Sequence, residues 1–224
     1  MESQQQLINY FTVDVEDYFQ VAAFERIVSP DTWDGYASRV ERNVALLLDM
    51  LDEHNVTGTF FVVGWTAEQY PDMVREIASR GHELACHSYR HRKIYDLTPE
   101  EFRADTARAK DILENITGRP VTGYRAPTYS ITKRSLWALD ILQDLGFTWD
   151  SSIFPVVHDQ YGIPDAPRFR FKWPDHDLVE YPLSTMPAFG QNIPVSGGGY
   201  FRIFPYWFTR MALRKINRRE KQPF

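Results

Sequence analysis

Residues 58–63, Gly58-Thr59-Phe60-Phe61-Val62-Val63, are apolar almost throughout. A strand of that composition has to be buried on both faces, which a parallel sheet covered by helices provides. The chain around it supplies both kinds of element. Further strands are read at 7–13, 83–86, 121–124, 147–150 and 178–183. Between them lie helical patterns. Val40, Val44, Leu47, Leu48 and Leu51 mark one side of a helix over 40–54. Pro71 fits the first turn of another, with Gly81 as its C-terminal cap. Thr98-Pro99-Glu100-Glu101 is a capping box that opens a helix to about 116, stopped by Gly118 and Pro120. A helix over 135–145 is closed by Gly146, and a last one spans 204–219. Residues 154–177 read as a long loop, and Gly197 to Gly199 as a flexible turn. Strand–helix alternation with short links predicts an α/β fold, either a parallel barrel or a doubly wound sheet.

Composition narrows the function. The 224 residues carry a formal net charge of −5, which supplies no basic face for nucleic acid. One basic run, 210–221, reads as the solvated face of a helix, with a membrane-surface contact as the lesser reading. The single cysteine, Cys86, excludes an internal disulfide framework and fits a reducing compartment. No signal peptide and no membrane-spanning run is read, so a cytoplasmic location without stable membrane insertion is expected. There is no G-x-G-x-x-G, no Walker pattern and no G-x-S-x-G elbow.

Chemically able residues gather at strand ends. The first strand runs into Asp14-Val15-Glu16-Asp17; strand parity places Asp14 and Glu16 on one face and leaves Asp17 beyond the strand. The third strand runs into His87-Ser88-Tyr89-Arg90-His91. Two imidazoles four apart reach one ion if a helical turn or a tight loop joins them. Isolated pairs of this kind are commonly surface residues. Here two histidines and one carboxylate would supply the three protein ligands of a catalytic zinc site. Cys86 and His87 point to opposite faces, so a cysteine nucleophile beside its histidine is not expected. An Arg125-Ala126-Pro127 turn follows the fourth strand.

With the acidic strand end, His-Ser-x-x-His and Arg-x-Pro in that order, the chain resembles the polysaccharide deacetylases of carbohydrate esterase family 4 over roughly residues 7–185. Val13 to Asp17 and Trp149 to Pro155 are similar to the exopolysaccharide-locus branch. The resemblance implies a distorted (β/α) barrel of about seven parallel strands. The whole of 1–224 would be one catalytic domain, ending where the family's last strand would begin. It also implies removal of acetyl groups from N-acetylated sugars, with zinc or another divalent first-row metal. By position, His87 and His91 match the metal histidines and Asp14 the general base. Glu16 matches the metal carboxylate, with Asp17 as the alternative ligand. Arg125 matches the arginine that pairs with the base, and Asp150 the aspartate that orients a catalytic histidine. Pro127, Tyr129, Trp149 and Phe154 are candidates for the sugar subsite.

The family's final histidine motif, which supplies the general acid, has no match. His54, His82, His158 and His176 are poorly placed substitutes. Three readings stand: a longer chain carries the acid, another residue supplies it, or the site is inactive. Two other functions are weighed. One is an allantoinase-like hydrolase of a cyclic amide; the other is a non-catalytic sugar-binding or assembly partner. The partner is expected to be an N-acetylated carbohydrate.

Overall fold

The computed structural model describes residues 7–224. Its strands are β1 (Thr12–Val15), β2 (Thr59–Val62), β3 (Glu83–Cys86), β4 (Gly123–Tyr124), β5 (Trp149–Asp150), β6 (Phe171–Lys172), β7 (Val179–Glu180), β8 (Thr185–Ala188) and β9 (Gln191–Pro194). The α-helices are α1 (Val40–Glu53), α2 (Gly64–Gln69), α3 (Pro71–Ser79), α4 (Pro99–Thr117), α5 (Ala138–Asp144), α6 (Gly198–Ile203) and α7 (Tyr206–Lys215).

Seven strands form one sheet in the order β1-β2-β3-β4-β5-β7-β6. Every neighbouring pair is parallel except β6 with β7. This is the α/β, mostly parallel sheet that the apolar strands require. Closure into the expected barrel is not seen among the described residues, where β1 and β6 are the two edges. The sixth parallel strand is β7, and the seventh strand is antiparallel because 154–177 turns back into the sheet instead of staying a loop. At the free edge of β1, the Tyr10 amide donates to the Phe224 carbonyl at 2.7 Å.

The core forms where helical stripes meet the doubly buried strands. Phe60 and Val62 of β2 pack with Val44 and Leu48 of α1, Val74 and Ile77 of α3, and Phe102, Ala109 and Leu113 of α4. The capping box is complete: the Glu101 amide donates to Thr98 Oγ1 and the Thr98 amide to Glu101 Oε2. Gly118 ends α4 in the left-handed conformation, φ 65°. The last part of the chain builds a smaller core of Met186, Val195, Ala212 and Ile216 under α7.

Several boundaries differ from the sequence reading. Residues 7–11 precede the strand rather than forming it, and the sheet begins at Thr12. The glycine run 197–199 is not a free turn, since Gly198 starts α6. The hairpin β8–β9 was not expected; Pro187 breaks its period-2 pattern at a two-stranded edge. No described helix is long and apolar enough to cross a membrane.

Gly123 explains why β4 carries no side chain at that point. A Cβ there would stand 1.9 Å from the Trp149 ring, its register partner on β5. Gly123→Ala must displace the indole, and overpacking of this kind costs about 1–3 kcal/mol. Chemical denaturation of the variant is expected to show a loss in that range; unchanged stability would mean that the indole is free to move aside.

Candidate active site

Thr12, Val13 and Asp14 of β1 and Glu16 just after it line one cavity of about 850 Å³, while Val15 is buried in the core. The same cavity receives His87, His91 and Arg125, together with Phe61, Tyr129, Trp149 and Ser151. Strands β1, β3, β4 and β5 therefore deliver their C-terminal ends to one place, as parallel sheets do.

His87 and His91 meet through a tight loop, not a helical turn. Ser88 (φ 61°) and His91 (φ 51°) both adopt left-handed backbone, a conformation that L-residues hold only when their surroundings enforce it. The enforcement comes from Asp105 on α4. Its carboxylate accepts the Tyr89 amide at 2.6 Å and the Arg90 amide at 3.3 Å. Ser88 Oγ is also 2.7 Å from Tyr124 Oη. The sequence reading missed Asp105. A signal existed, because Asp105 sits on the inner stripe of α4 with Phe102, Thr106, Ala109 and Leu113.

Glu16, His87 and His91 each place a donor atom within 4.8 Å of the other two. His87 Nδ1 lies 2.7 Å from the Arg125 carbonyl, so Nδ1–H donates there and Nε2 keeps its lone pair. His91 Nε2 is 2.6 Å from Glu16 Oε2, with the His91 side chain 4% exposed. Burial pulls the His87 pKa down, which favours the neutral imidazole that a metal needs. Burial acts on His91 in the same direction, but the Glu16 carboxylate outweighs it and raises the pKa. Burial would raise Glu16, yet the charge and hydrogen bond of His91 hold it below the ordinary value. A buried His₂Glu set with one lone pair fixed toward the centre fits zinc and its first-row neighbours.

Asp17 is placed elsewhere. Its carboxylate accepts from Ser38 Oγ at 2.6 Å and from the Arg39 amide at 2.8 Å, fixing the approach to α1. The alternative ligand, Asp17, is thus not brought to the histidines, because Ser38 and the Arg39 amide engage its carboxylate.

Asp14 faces Arg125. Arg125 Nη1 donates to Asp14 Oδ1 at 2.8 Å and to Thr12 Oγ1 at 3.1 Å. Nε donates to the Ser151 carbonyl at 3.0 Å and Nη2 to Ser151 Oγ at 2.8 Å. The guanidinium carbon sits 3.9 Å from the Phe61 ring centroid. Burial pushes the Asp14 carboxyl up; Arg125, supported by His87 and His91, pulls it further down, so the group is held ionised.

Asp150 does not line the cavity. It is fully buried and its Oδ1 accepts from Ser152 Oγ at 2.6 Å, while Ser152 Oγ accepts the Ala126 amide at 2.8 Å. Its register partner is the fully buried Glu180, whose Oε1 accepts the Ile153 amide at 3.0 Å. Asp150 Oδ2 and Glu180 Oε2 are buried without a hydrogen-bond partner among the described residues, and two neighbouring buried carboxyls cannot both ionise cheaply. Burial, tempered by Ser152, pushes Asp150 up to about 6; burial and the Asp150 charge push Glu180 well above its usual range. Burial thus favours a shared proton on the pair, and through Ser152 the pair backs the Arg125 turn.

Of the subsite candidates, Tyr129 and Trp149 line the cavity, whereas Pro127 and Phe154 are buried outside its lining. Among the described residues no histidine other than His87 and His91 lines it. His82 Nδ1 accepts the Gly58 amide, His158 stacks on Tyr161, His176 bonds Asp140 and His54 ends α1.

The comparisons with known proteins agree with this geometry. The polysaccharide deacetylase family matches residues 32–149, more than half of the chain. The chain belongs to the polysaccharide deacetylase family. A domain of unknown function (DUF3473) matches residues 151–224. The peptidoglycan-N-acetylglucosamine deacetylase of Bacillus cereus is 34% identical over 95 residues, which cover 42% of this chain and 34% of that protein. The chitooligosaccharide deacetylase of Azorhizobium caulinodans is 35% identical over 80 residues, covering 35% of this chain and 38% of that protein. The chain thus spans little more than a third of these curated relatives. A crystal structure from Mycobacterium smegmatis, assigned to the polysaccharide deacetylases, superposes with a TM-score of 0.62 at 28% identity, over 89% of this chain and 68% of that one. The family match includes His87, His91 and Arg125 but begins after Asp14 and Glu16, so the acidic half of the site rests on the geometry.

Two outcomes follow from these placements. Zinc titration followed by calorimetry should show that Glu16→Gln loses the site, whereas Asp17→Asn keeps it at lower stability; the reverse result would reassign the ligand. For the buried pair, the folded chain holds its proton to a higher pH than the unfolded chain, whose carboxyls ionise near ~4. Stability is therefore lost as pH rises from that range through the raised values. Glu180→Gln keeps the bond from Ile153 and offers an N–H to Asp150. Its Tm is expected to rise above the parent's at about pH 8 and to fall less between about pH 5 and 8; parallel pH profiles would show that no proton is shared.

Proposed function

We propose that this chain is a metal-dependent hydrolase that removes N-acetyl groups from sugars of a polysaccharide or lipid-linked oligosaccharide. The observation that carries the reading is the convergence of Glu16, His87 and His91 beside the Asp14–Arg125 pair in one cavity. Zinc, or a similar first-row divalent ion held by those three residues, would supply a bound water of lowered pKa and a Lewis acid for the acetyl carbonyl.

The chain's own residues account for the rest. Asp14, ionised and fixed in rotamer by Arg125, takes the proton of the attacking water as general base. Arg125 is a positioning residue whose four hydrogen-bonded contacts leave it no freedom to neutralise another group. His87 stays neutral, oriented by the Arg125 carbonyl. Tyr129 and Trp149, aromatic residues of the cavity wall, are the side chains assigned to the sugar.

The B. cereus relative is named for peptidoglycan N-acetylglucosamine and the A. caulinodans relative for chitooligosaccharides. The chemistry common to both names is an N-acetylated amino sugar, which is the proposed substrate class. A place in exopolysaccharide biosynthesis rests on the motifs at Val13 to Asp17 and Trp149 to Pro155 alone. A second reading, a sugar-binding partner using the same cavity, draws on the lack of a third histidine among the residues lining it.

Acetate release from N-acetylated oligosaccharides by the zinc-loaded protein separates the two. Hydrolysis is expected, and Asp14→Asn should lower it on the order of 100-fold or more while zinc stoichiometry is kept. Oligosaccharide binding without acetate release would favour the binding partner, and zinc loss in Asp14→Asn would overturn the assignment of Asp14 as base.

A further inference from the structure

The face presented by α6 and α7 combines two features that solvated helices rarely join. Its aromatic and aliphatic side chains are out in solvent: Phe201 is 54% exposed, Ile203 74%, Tyr206 78% and Trp207 66%. The same segment is strongly basic. Between 198 and 221 there are seven Lys or Arg residues and one acidic residue, Glu220, in a chain whose net charge is −5. Glu220 is itself paired with Arg168 at 2.6 Å. Among the described residues none of the seven cations has a carboxylate partner.

The helix sorts these groups by side. Thr209, Ala212 and the following Ile216 face inward with Phe208 and Leu213. Trp207, Arg210, Met211, Arg214 and then Arg218 recur at helical spacing on the outer side and are all exposed. An outer face of indole, thioether and guanidinium groups is the pattern of a helix lying in a lipid interface, apolar groups at the acyl boundary and cations at anionic headgroups. A second copy of the same face would bring like charges together, which disfavours self-association. The face is continuous with the proposed catalytic cavity, because Phe201 and Arg202 also line that cavity.

We propose that the α6–α7 face docks peripherally on a membrane containing anionic phospholipid and so presents the cavity mouth to glycan at the lipid surface. The docking is peripheral, consistent with the lack of a membrane-crossing helix among the described residues. The role of docking rests on the cavity being the substrate site, but docking itself does not depend on hydrolysis.

The test is vesicle co-sedimentation of the full chain without substrate. One vesicle set is about three parts phosphatidylcholine to one part phosphatidylglycerol, the other phosphatidylcholine alone. We expect binding at least about tenfold tighter to the anionic set, weakened by about 0.5 M salt. Arg210→Glu with Arg214→Glu should reduce it about tenfold or more. Trp207→Ser should weaken it while leaving its salt dependence. These residues are exposed, so circular dichroism and Tm should match the parent. Equal binding to both vesicle sets, no binding to either, or binding unchanged in both variants would overturn the proposal. So would a dimer in light scattering that Trp207→Ser abolishes, since a second copy would then occupy the face. Failure here leaves the acetate-release result untouched, so the two readings fall separately.

Discussion

Arg125 is a guanidinium buried to 5% exposure, and a charge taken that far from water must place its donors or unfold the region around it. It does so across three strands. Thr12 and Asp14 belong to β1, the Ser151 contacts follow β5, and the Phe61 ring comes from β2. Its own carbonyl receives Nδ1–H of His87. One residue therefore sets the charge state of the proposed base Asp14, the tautomer of the candidate ligand His87 and the spacing between the strand ends that carry them. The cost of burying it is offset only while those partners are present, which ties the site's geometry to the sheet's register.

The supporting residues follow the same logic. Asp105 reaches from α4 to hold the loop between the two histidines in a left-handed path. Ser152 links the Ala126 amide to Asp150, and Asp150 shares its burial with Glu180 on the neighbouring strand. Asp105, Asp150, Ser152 and Glu180 thus stand outside the cavity and fix the groups that line it. Burial pushes both carboxyls of the pair above the ordinary range, and the pair backs the Arg125 turn through Ser152.

Much of this was legible along the chain. The doubly apolar strand 58–63 called for a parallel sheet and found one. The Thr98 capping box formed both of its hydrogen bonds. Period-2 parity correctly grouped Asp14 with Glu16 and separated Asp17. The resemblance at His87, His91 and Arg125 led to residues that the structure gathers in one cavity. Less legible were Asp105, whose task depends on a loop 15 residues away, and Pro127 and Asp150, which lie behind the cavity rather than in it.

The sequence by itself determined the elements and their faces, because helical and strand periods, caps and breakers act over a few neighbouring residues. It determined that two histidines and a carboxylate would be near strand ends. Tertiary structure alone decided that the histidines meet through a left-handed loop, that Glu16 reaches them while Asp17 binds Ser38 and Arg39, and that Asp150 faces Glu180. It also left the sheet with two edges among the described residues. Each of these depends on strand register and on which distant group satisfies a buried donor or charge, and neither quantity is set by local spacing.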